Sequence, residues 1–263
     1  MADFALLALV GACSGLIAGL VGLAGGIVIV PALVAVYGPQ ALHAAIITSW
    51  FAVLFNSFGA AARQWKQRSP EERVALLHAA RWYLAGAVLV TPVAAAFASG
   101  RSGMVTAAAV AVLQLCLAAV MLFPIGDEHR ARPTNRARDA SFGGIIGGVS
   151  TLIGVGGGTY TIAYFVYGAG SRFRDAIATA NITGFVVGAF SVVGLGLALA
   201  VSGIEAVRIA TGPFDLLGLA ILLLAGIIAA PLGVIASGHL PVKRLRQLLV
   251  AALVASAMRL LIS

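Results

Sequence analysis

The sequence predicts an all-α, polytopic integral membrane protein made of two inverted repeats, each a glycine-broken re-entrant hairpin followed by three transmembrane helices. Three observations predict it. Of 263 residues, 61% are hydrophobic and 10% charged, against about 25% charged in a soluble domain, and the mean hydropathy is +1.04. The apolar runs reach about 20 residues, the length of a helical span, and are not the alternating ten-residue strands of an outer-membrane barrel. Two runs carry glycine clusters in their middle, Gly22-Leu23-Ala24-Gly25-Gly26 and Gly154-Val155-Gly156-Gly157-Gly158.

Phe4 to Tyr37 is one apolar run. As a single helix it would be about 50 Å long, more than the roughly 30 Å of a hydrocarbon core. It must bend, and the Gly25-Gly26 pair marks the place, since each glycine costs about 1 kcal/mol against alanine in a helix. Pro31 follows near the start of the second limb, where its missing N–H is expected to have no intrahelical partner anyway. Gly38-Pro39 ends that limb. Ala41–Ala62, His78–Ser99 and Met104–Phe123 read as three spans, separated by the basic turn Arg63–Arg73 and the tight turn Gly100–Gly103. Residues 1–123 thus form a first membrane repeat.

Residues 124–139 form a polar cytoplasmic linker holding Arg130, Arg132, Arg136 and Arg138. Residues 140–263 repeat the plan. A glycine-broken run, Phe142–Tyr167, precedes a basic turn with Arg172 and Arg174. Spans at Ala176–Ala200 and Phe214–Ala236 flank a loop with Glu205 and Arg208, and a turn with Lys243, Arg244 and Arg246 precedes the last span, ending at Ile262. Gly15 and Gly22–Gly26 line up with Gly147 and Gly154–Gly158. Ile47-Thr48-Ser49 lines up with Ala178-Thr179-Ala180.

The net charge of +8 comes from basic residues in short loops between spans. They are orientation signals, and no nucleic-acid partner is expected. With Arg63–Arg73 in the cytoplasm, the hairpin reading of Phe142–Tyr167 places every basic cluster inside, whereas a crossing would put two of them outside. By the same logic the first run enters from the outside. An odd number of crossings per half makes the repeats inverted, a plan common among secondary transporters. The start Met1-Ala2-Asp3 lacks the basic region of a signal peptide, so the first apolar stretch is expected in the mature protein.

Catalytic chemistry has no support. The histidines His43, His78, His129 and His239 are scattered, and no deep ionisable residue is expected within the spans. Cys13 and Cys116 lie in apolar runs without a CxxC pattern and are expected to pack as buried thiols. No cofactor, metal or catalytic residue is predicted. What remains is neutral and hydrogen-bonding. A break inside lipid is tolerated only where protein or water covers it, and half-helix N-termini there carry partial positive charge. The candidate substrate site joins the backbone N–H groups of Gly25, Gly26, Ile27, Gly157, Gly158 and Thr159 to the side chains of Thr48, Ser49, Thr179 and Asn181. Thr159 is also placed to cap the second limb. Donors without fixed negative charge suit an oxyanion. Close helix packing is the competing role for Gly15, Gly19, Gly147 and Gly148.

The run Gly15-Leu-Ile-Ala-Gly-Leu-Val-Gly22-Leu-Ala-Gly25-Gly26 with Pro31, followed by Thr48-Ser49, resembles the N-terminal signature of the TauE/SafE sulfite exporter family, also called the 4-toluene sulfonate uptake permeases. Gly154–Gly158 with Thr179 and Asn181 is similar to that family's repeat. Ala163 stands near where the first half has Pro31, and Ala180 where it has Ser49, so the halves are expected to contribute unequally. The resemblance implies a multi-pass permease of the bacterial inner membrane that moves sulfite, thiosulfate, sulfonates or related anions. Export is the favoured direction, because an interior negative by 100 mV favours anion exit by about 2.3 kcal/mol per charge. A passive anion channel and a non-transporting membrane assembly factor are the alternatives. The glycine motifs do not set the anion, the coupling ion or the oligomeric state.

Overall fold

The computed structural model describes residues 2–99, 106–122, 135–202 and 216–262. Their regular structure is helical throughout: α1 (Ala2–Val21), α2 (Gly26–Tyr37), α3 (Leu42–Lys66), α4 (Pro70–Ser99), α5 (Ala107–Leu122), α6 (Arg136–Ile153), α7 (Gly158–Ala163, prolonged by a π-helical turn at Tyr164–Gly168), α8 (Phe173–Ser202), α9 (Leu216–His239) and α10 (Val242–Ile262). Among the described residues, six stretches are long and apolar enough to cross a membrane: Phe4–Val21, Pro39–Lys66, Pro70–Ser99, Phe173–Val201, Leu216–His239 and Val242–Ile262. The Gly100–Gly103 turn, most of the polar linker and the Glu205–Arg208 loop lie outside the described residues.

The packing repeats itself between the halves. α1 packs on α9 as α6 packs on α4. α2 contacts α3 and α10, as α7 contacts α8 and α5. α3 and α8 face each other across the centre, and so do α5 and α10. α3 and α8 run antiparallel: Gln64 bonds Asn181, and further along, added methyls at Gly184 and Gly188 would meet Ser57 and Leu54.

Glycine spacing builds the tightest of these contacts. A methyl at Gly11, Gly15 or Gly19 would collide with the backbone carbonyl of Leu222, Gly226 or Ala230 respectively. The four-residue step is the same on both helices, so α1 and α9 run parallel with backbones touching. Gly143 against the Tyr83 carbonyl and Gly147 against Ala87 do the same for α6 and α4. Such small-residue stripes let helices approach where lipid removes the hydrophobic drive for association. Gly15, Gly19, Gly147 and Gly148 therefore serve packing, Gly148 against the Val90 side chain.

Two expectations need correction. Pro31 is not in the first turn of its limb but in the interior of α2. Its missing N–H frees the carbonyl of Ile27, four residues earlier. The Ser256 hydroxyl of α10 donates to that carbonyl at 2.8 Å, so a polar residue on a neighbouring span repairs the gap. Cys13 and Cys116 are exposed, not buried. They lie on the outward surface of α1 and α5.

The basic turns meet at one end of the bundle. Arg68 forms an ion pair with Asp175 at 2.8 Å, and Arg174 Nη2 donates to the Leu240 carbonyl at 3.0 Å. The turns before α4, before α8 and before α10 thus share a face, here called the basic face. The α6–α7 run accordingly returns toward the side on which α6 begins. Arg136 there stacks over Trp82 of α4, with its guanidinium 5.1 Å from the ring centre.

Two outcomes follow. Gly15→Leu lowers unfolding stability in detergent by about 2–3 kcal/mol through overpacking against α9. Gly196→Leu, with nothing within 4 Å of its added carbon, leaves it within about 0.5 kcal/mol. Cysteines at Ser69 and Ser171 react with an impermeant thiol reagent from the same side of the membrane; reaction from opposite sides contradicts the returning hairpin.

Candidate functional site

Both breaks share one backbone pattern. In the first, Gly22, Ala24 and Gly25 have φ of +72°, +55° and +84°; in the second, Gly154, Gly156 and Gly157 have +72°, +80° and +73°. Leu23 and Val155 sit between them, fully buried. Left-handed backbone costs an L-residue roughly 1–2 kcal/mol, which explains glycine at five of these six positions. Ala24 is the exception, with its Cβ against Gly156 and Gly184.

The two breaks cross in direct contact. A methyl on Gly26 would collide with the Gly154 carbonyl, and one on Gly158 with the Gly22 carbonyl. Each new helix therefore starts against the carbonyl end of the other repeat's first limb. Neither start is capped by a side chain: the residues preceding α2 and α7 are Gly25 and Gly157, without a side-chain bond. Thr159 does not cap the second limb. It lies in the first turn of α7, fully buried, with no partner for its hydroxyl.

Polar side chains gather at this crossing. Asn56 Nδ2 donates to Ser14 Oγ at 2.8 Å, and Ser14 Oγ donates to the Gly25 carbonyl at 3.0 Å. Ser49 Oγ lies 2.7 Å from the Gly154 carbonyl and 2.6 Å from that of Ile46. Trp50 Nε1 donates to Thr151 O at 2.9 Å. Around these bonds stand buried atoms with no partner among the described residues: Asn56 Oδ1, Ser57 Oγ, Ser150 Oγ, Thr159 Oγ1 and Thr183 Oγ1. An unsatisfied buried polar group costs about 1–3 kcal/mol, and such groups in a native core call for an explanation.

The predicted residues divide into two places. Gly25, Gly26, Ile27, Gly157, Gly158, Thr159 and Ser49 meet at the crossing. Thr48 is buried on α3 without a bond to either break. Thr179 and Asn181 lie nearer the basic face. Thr179 Oγ1 bonds back to the Asp175 carbonyl and lines a cleft there with Arg68 and Arg172. Asn181 Nδ2 reaches Gln64 Oε1 at 3.1 Å.

Ser14, Asn56, Ser57, Ser150 and Gln64 were not among the predicted site residues. One signal was present: Ser49, Asn56 and Gln64 recur near the helical period and fall on one face of α3. One ionisable side chain at the end of the predicted linker, in the first turn of α6, is nonetheless buried. Asp139 of α6 is buried at 4% exposure. It pairs with Arg138 at 3.0 Å and accepts from the Tyr164 hydroxyl at the π-helical turn of α7. Tyr83 stacks on Tyr164 with ring centres 5.3 Å apart. This group ties the two limbs of the second hairpin to α4.

Comparison with known proteins places this geometry. Residues 7–260 match the family model described as sulfite exporter TauE/SafE. A relative in Haemophilus influenzae, described as a probable membrane transporter protein, is 29% identical over 188 residues, covering 68% of this chain and 69% of the relative. No solved structure matches. With a family match that runs through both breaks and nearly the whole chain, this protein belongs to the sulfite exporter TauE/SafE family of membrane transporters.

Proposed function

We propose that this transporter exports small sulfur oxyanions such as sulfite, thiosulfate or sulfonates from the cytoplasm across a bacterial inner membrane. The observation that supports this reading is the crossing itself. Two uncapped helix starts and a set of unpartnered hydroxyl and amide groups converge inside the span region with no carboxylate among them. Helix starts favour negative charge through their free N–H groups and aligned dipoles. Buried hydroxyls left without partners are suited to a guest that supplies acceptors.

The repeats supply the cycle in this reading. Equivalent helices α3 and α8 run antiparallel, and the halves exchange neighbours in pairs, as inverted repeats require. Rocking one broken hairpin against the other exposes the crossing to alternate sides. The membrane potential favours anion exit by about 2.3 kcal/mol per charge at 100 mV, so export proceeds without a coupling ion.

Thr159→Val tests the site, because it removes the hydroxyl and keeps the shape. The wild-type hydroxyl has no partner, so the variant is as stable as wild type or more so, by up to about 1 kcal/mol. Saturable sulfite efflux from proteoliposomes falls about tenfold, the equivalent of about 1.4 kcal/mol of lost interaction. Unchanged efflux in Thr159→Val rejects the crossing as the site. Efflux that never saturates points to a passive channel.

A further inference from the structure

The two ends of the α3–α8 seam are chemically unlike, although the repeat makes them equivalent. The register is set by the breaks: Gly154 sits against Ile46 of α3 as Gly22 sits against Ile177 of α8. Carried along the helices, that register pairs Gln64 with Leu195, Asn181 with Trp50, Arg68 with Leu199, and Asp175 with Ala44. On the basic face, Gln64 and Asn181 are hydrogen-bonded and Arg68 is paired with Asp175. At the other end, Trp50 and Leu195 belong to one buried apolar cluster with Ile46 and Ile47, and Leu199 packs against it.

Open space follows the same division. Two adjoining clefts of about 320 and 340 Å³ share Arg68, Glu72, Arg172 and Asp175, and Gln64 and Thr179 line their walls. A single water needs only about 10–15 Å³ of such space, so both clefts are wide enough to be filled by solvent. The charges in them are not all equally engaged. The Glu72 carboxylate accepts from the Ser69 N–H, whose hydroxyl in turn accepts from the Glu72 N–H. Asp175 is held by Arg68. The Arg172 guanidinium has no ion pair or hydrogen bond among the described residues. Below it, Asn181 is fully buried with its Oδ1 unpartnered. Exchanging the Gln64 and Asn181 amide orientations keeps their mutual bond and frees an Asn181 N–H.

We propose that the cleft under Arg68 and Arg172 is a capture site for a small oxyanion, separate from the helix breaks, and that Trp50 and Leu195 hold the equivalent cleft at the opposite end shut. The structure is then the state open toward the basic face. This proposal deepens the transporter reading and rests on it. A guanidinium fork binds oxyanions in a bidentate manner, and an anion arriving at Arg172 competes with Asp175 for Arg68. Loosening that pair releases the α3–α4 turn from the start of α8, the joint between the repeats on this face.

The test uses Ser171→Cys as reporter of the cleft and Leu195→Cys as reporter of the plug, each with Cys13→Ser and Cys116→Ser. Reporters react with an impermeant maleimide from each side of sealed vesicles, with sulfate as the probe because it does not attack thiols or maleimides. Sulfate at about ten times its dissociation constant slows Ser171→Cys labelling about tenfold, as the free fraction falls. Chloride at equal ionic strength does not. Arg172→Gln removes the protection, Arg172→Lys restores part of it, and both melt with wild type. Leu195→Cys stays unreactive from the face opposite the basic turns. Protection that survives Arg172→Gln, or Leu195→Cys reacting as fast as Ser171→Cys, overturns the proposal. The readout needs no flux, so intact protection without efflux counts against export and not against the capture site.

Discussion

Backbone meeting backbone at the crossed breaks is the constraint on which the molecule depends. Gly26 against the Gly154 carbonyl and Gly158 against the Gly22 carbonyl leave no room for a side chain on either chain. The contact also has an electrical side. The positive start of each short limb meets the carbonyl end of the other repeat's long limb. Without a guest, the two hairpins partly neutralise one another. In the proposed function, an anion at the crossing competes with those carbonyls for the same helix starts, which would link occupancy to the seating of one hairpin against the other. The rest of the bundle serves this seating: the glycine stripes of α1 and α6 fix each long limb on α9 and α4.

The two halves tie their breaks differently. Gly25 is held by Ser14 and Asn56, and Pro31 of the same hairpin is repaired from α10 by Ser256. At the second break, Ser150 lies beside Gly157 with its hydroxyl unpartnered. Its second limb changes from α to π winding at Tyr164, one residue after Ala163, the counterpart of Pro31. π-helical turns are uncommon and recur at functional sites. Regions with unmet hydrogen bonds open at lower cost than saturated ones. Both breaks are nonetheless tied from α3, where Ser49 meets the Gly154 carbonyl and Asn56 reaches Gly25 through Ser14.

Much of this was legible in the residues, for physical reasons. The length of Phe4–Tyr37 demanded a bend, and glycine pairs gave its place. The charge of the loops required Phe142–Tyr167 to return, and the Arg68–Asp175 pair brings those loops together. Less legible were features set by register between distant helices. Thr179 and Asn181 follow Arg174 within about two helical turns, which puts them by the basic face, but their separation from the crossing depends on where α8 passes α3. Ser256 as partner of the Ile27 carbonyl is invisible for the same reason. The outward-facing cysteines were misjudged because a span apolar on all sides gives no pattern by which to choose its buried face.

The divergence of the α3–α8 seam bears on direction. A symmetric transporter built from two identical repeats would offer the same mouth to both sides. Here one mouth carries arginines and amides, and its counterpart carries leucine, isoleucine and tryptophan. Arginines at a mouth raise the local concentration of anions by focusing the field in a low-dielectric cleft. A largely apolar mouth on the far side holds a departing anion weakly, since apolar side chains do not replace the hydration of a desolvated charge. For the proposed exporter this means strong capture where the anion enters and easy release where it leaves. Binding asymmetry cannot set the equilibrium of a passive carrier, which the membrane potential decides, but it does set which side the empty protein waits on. In the proposed exporter, the buried cluster holding Trp50 and Leu195 would keep the empty protein open toward the basic face, where cargo arrives.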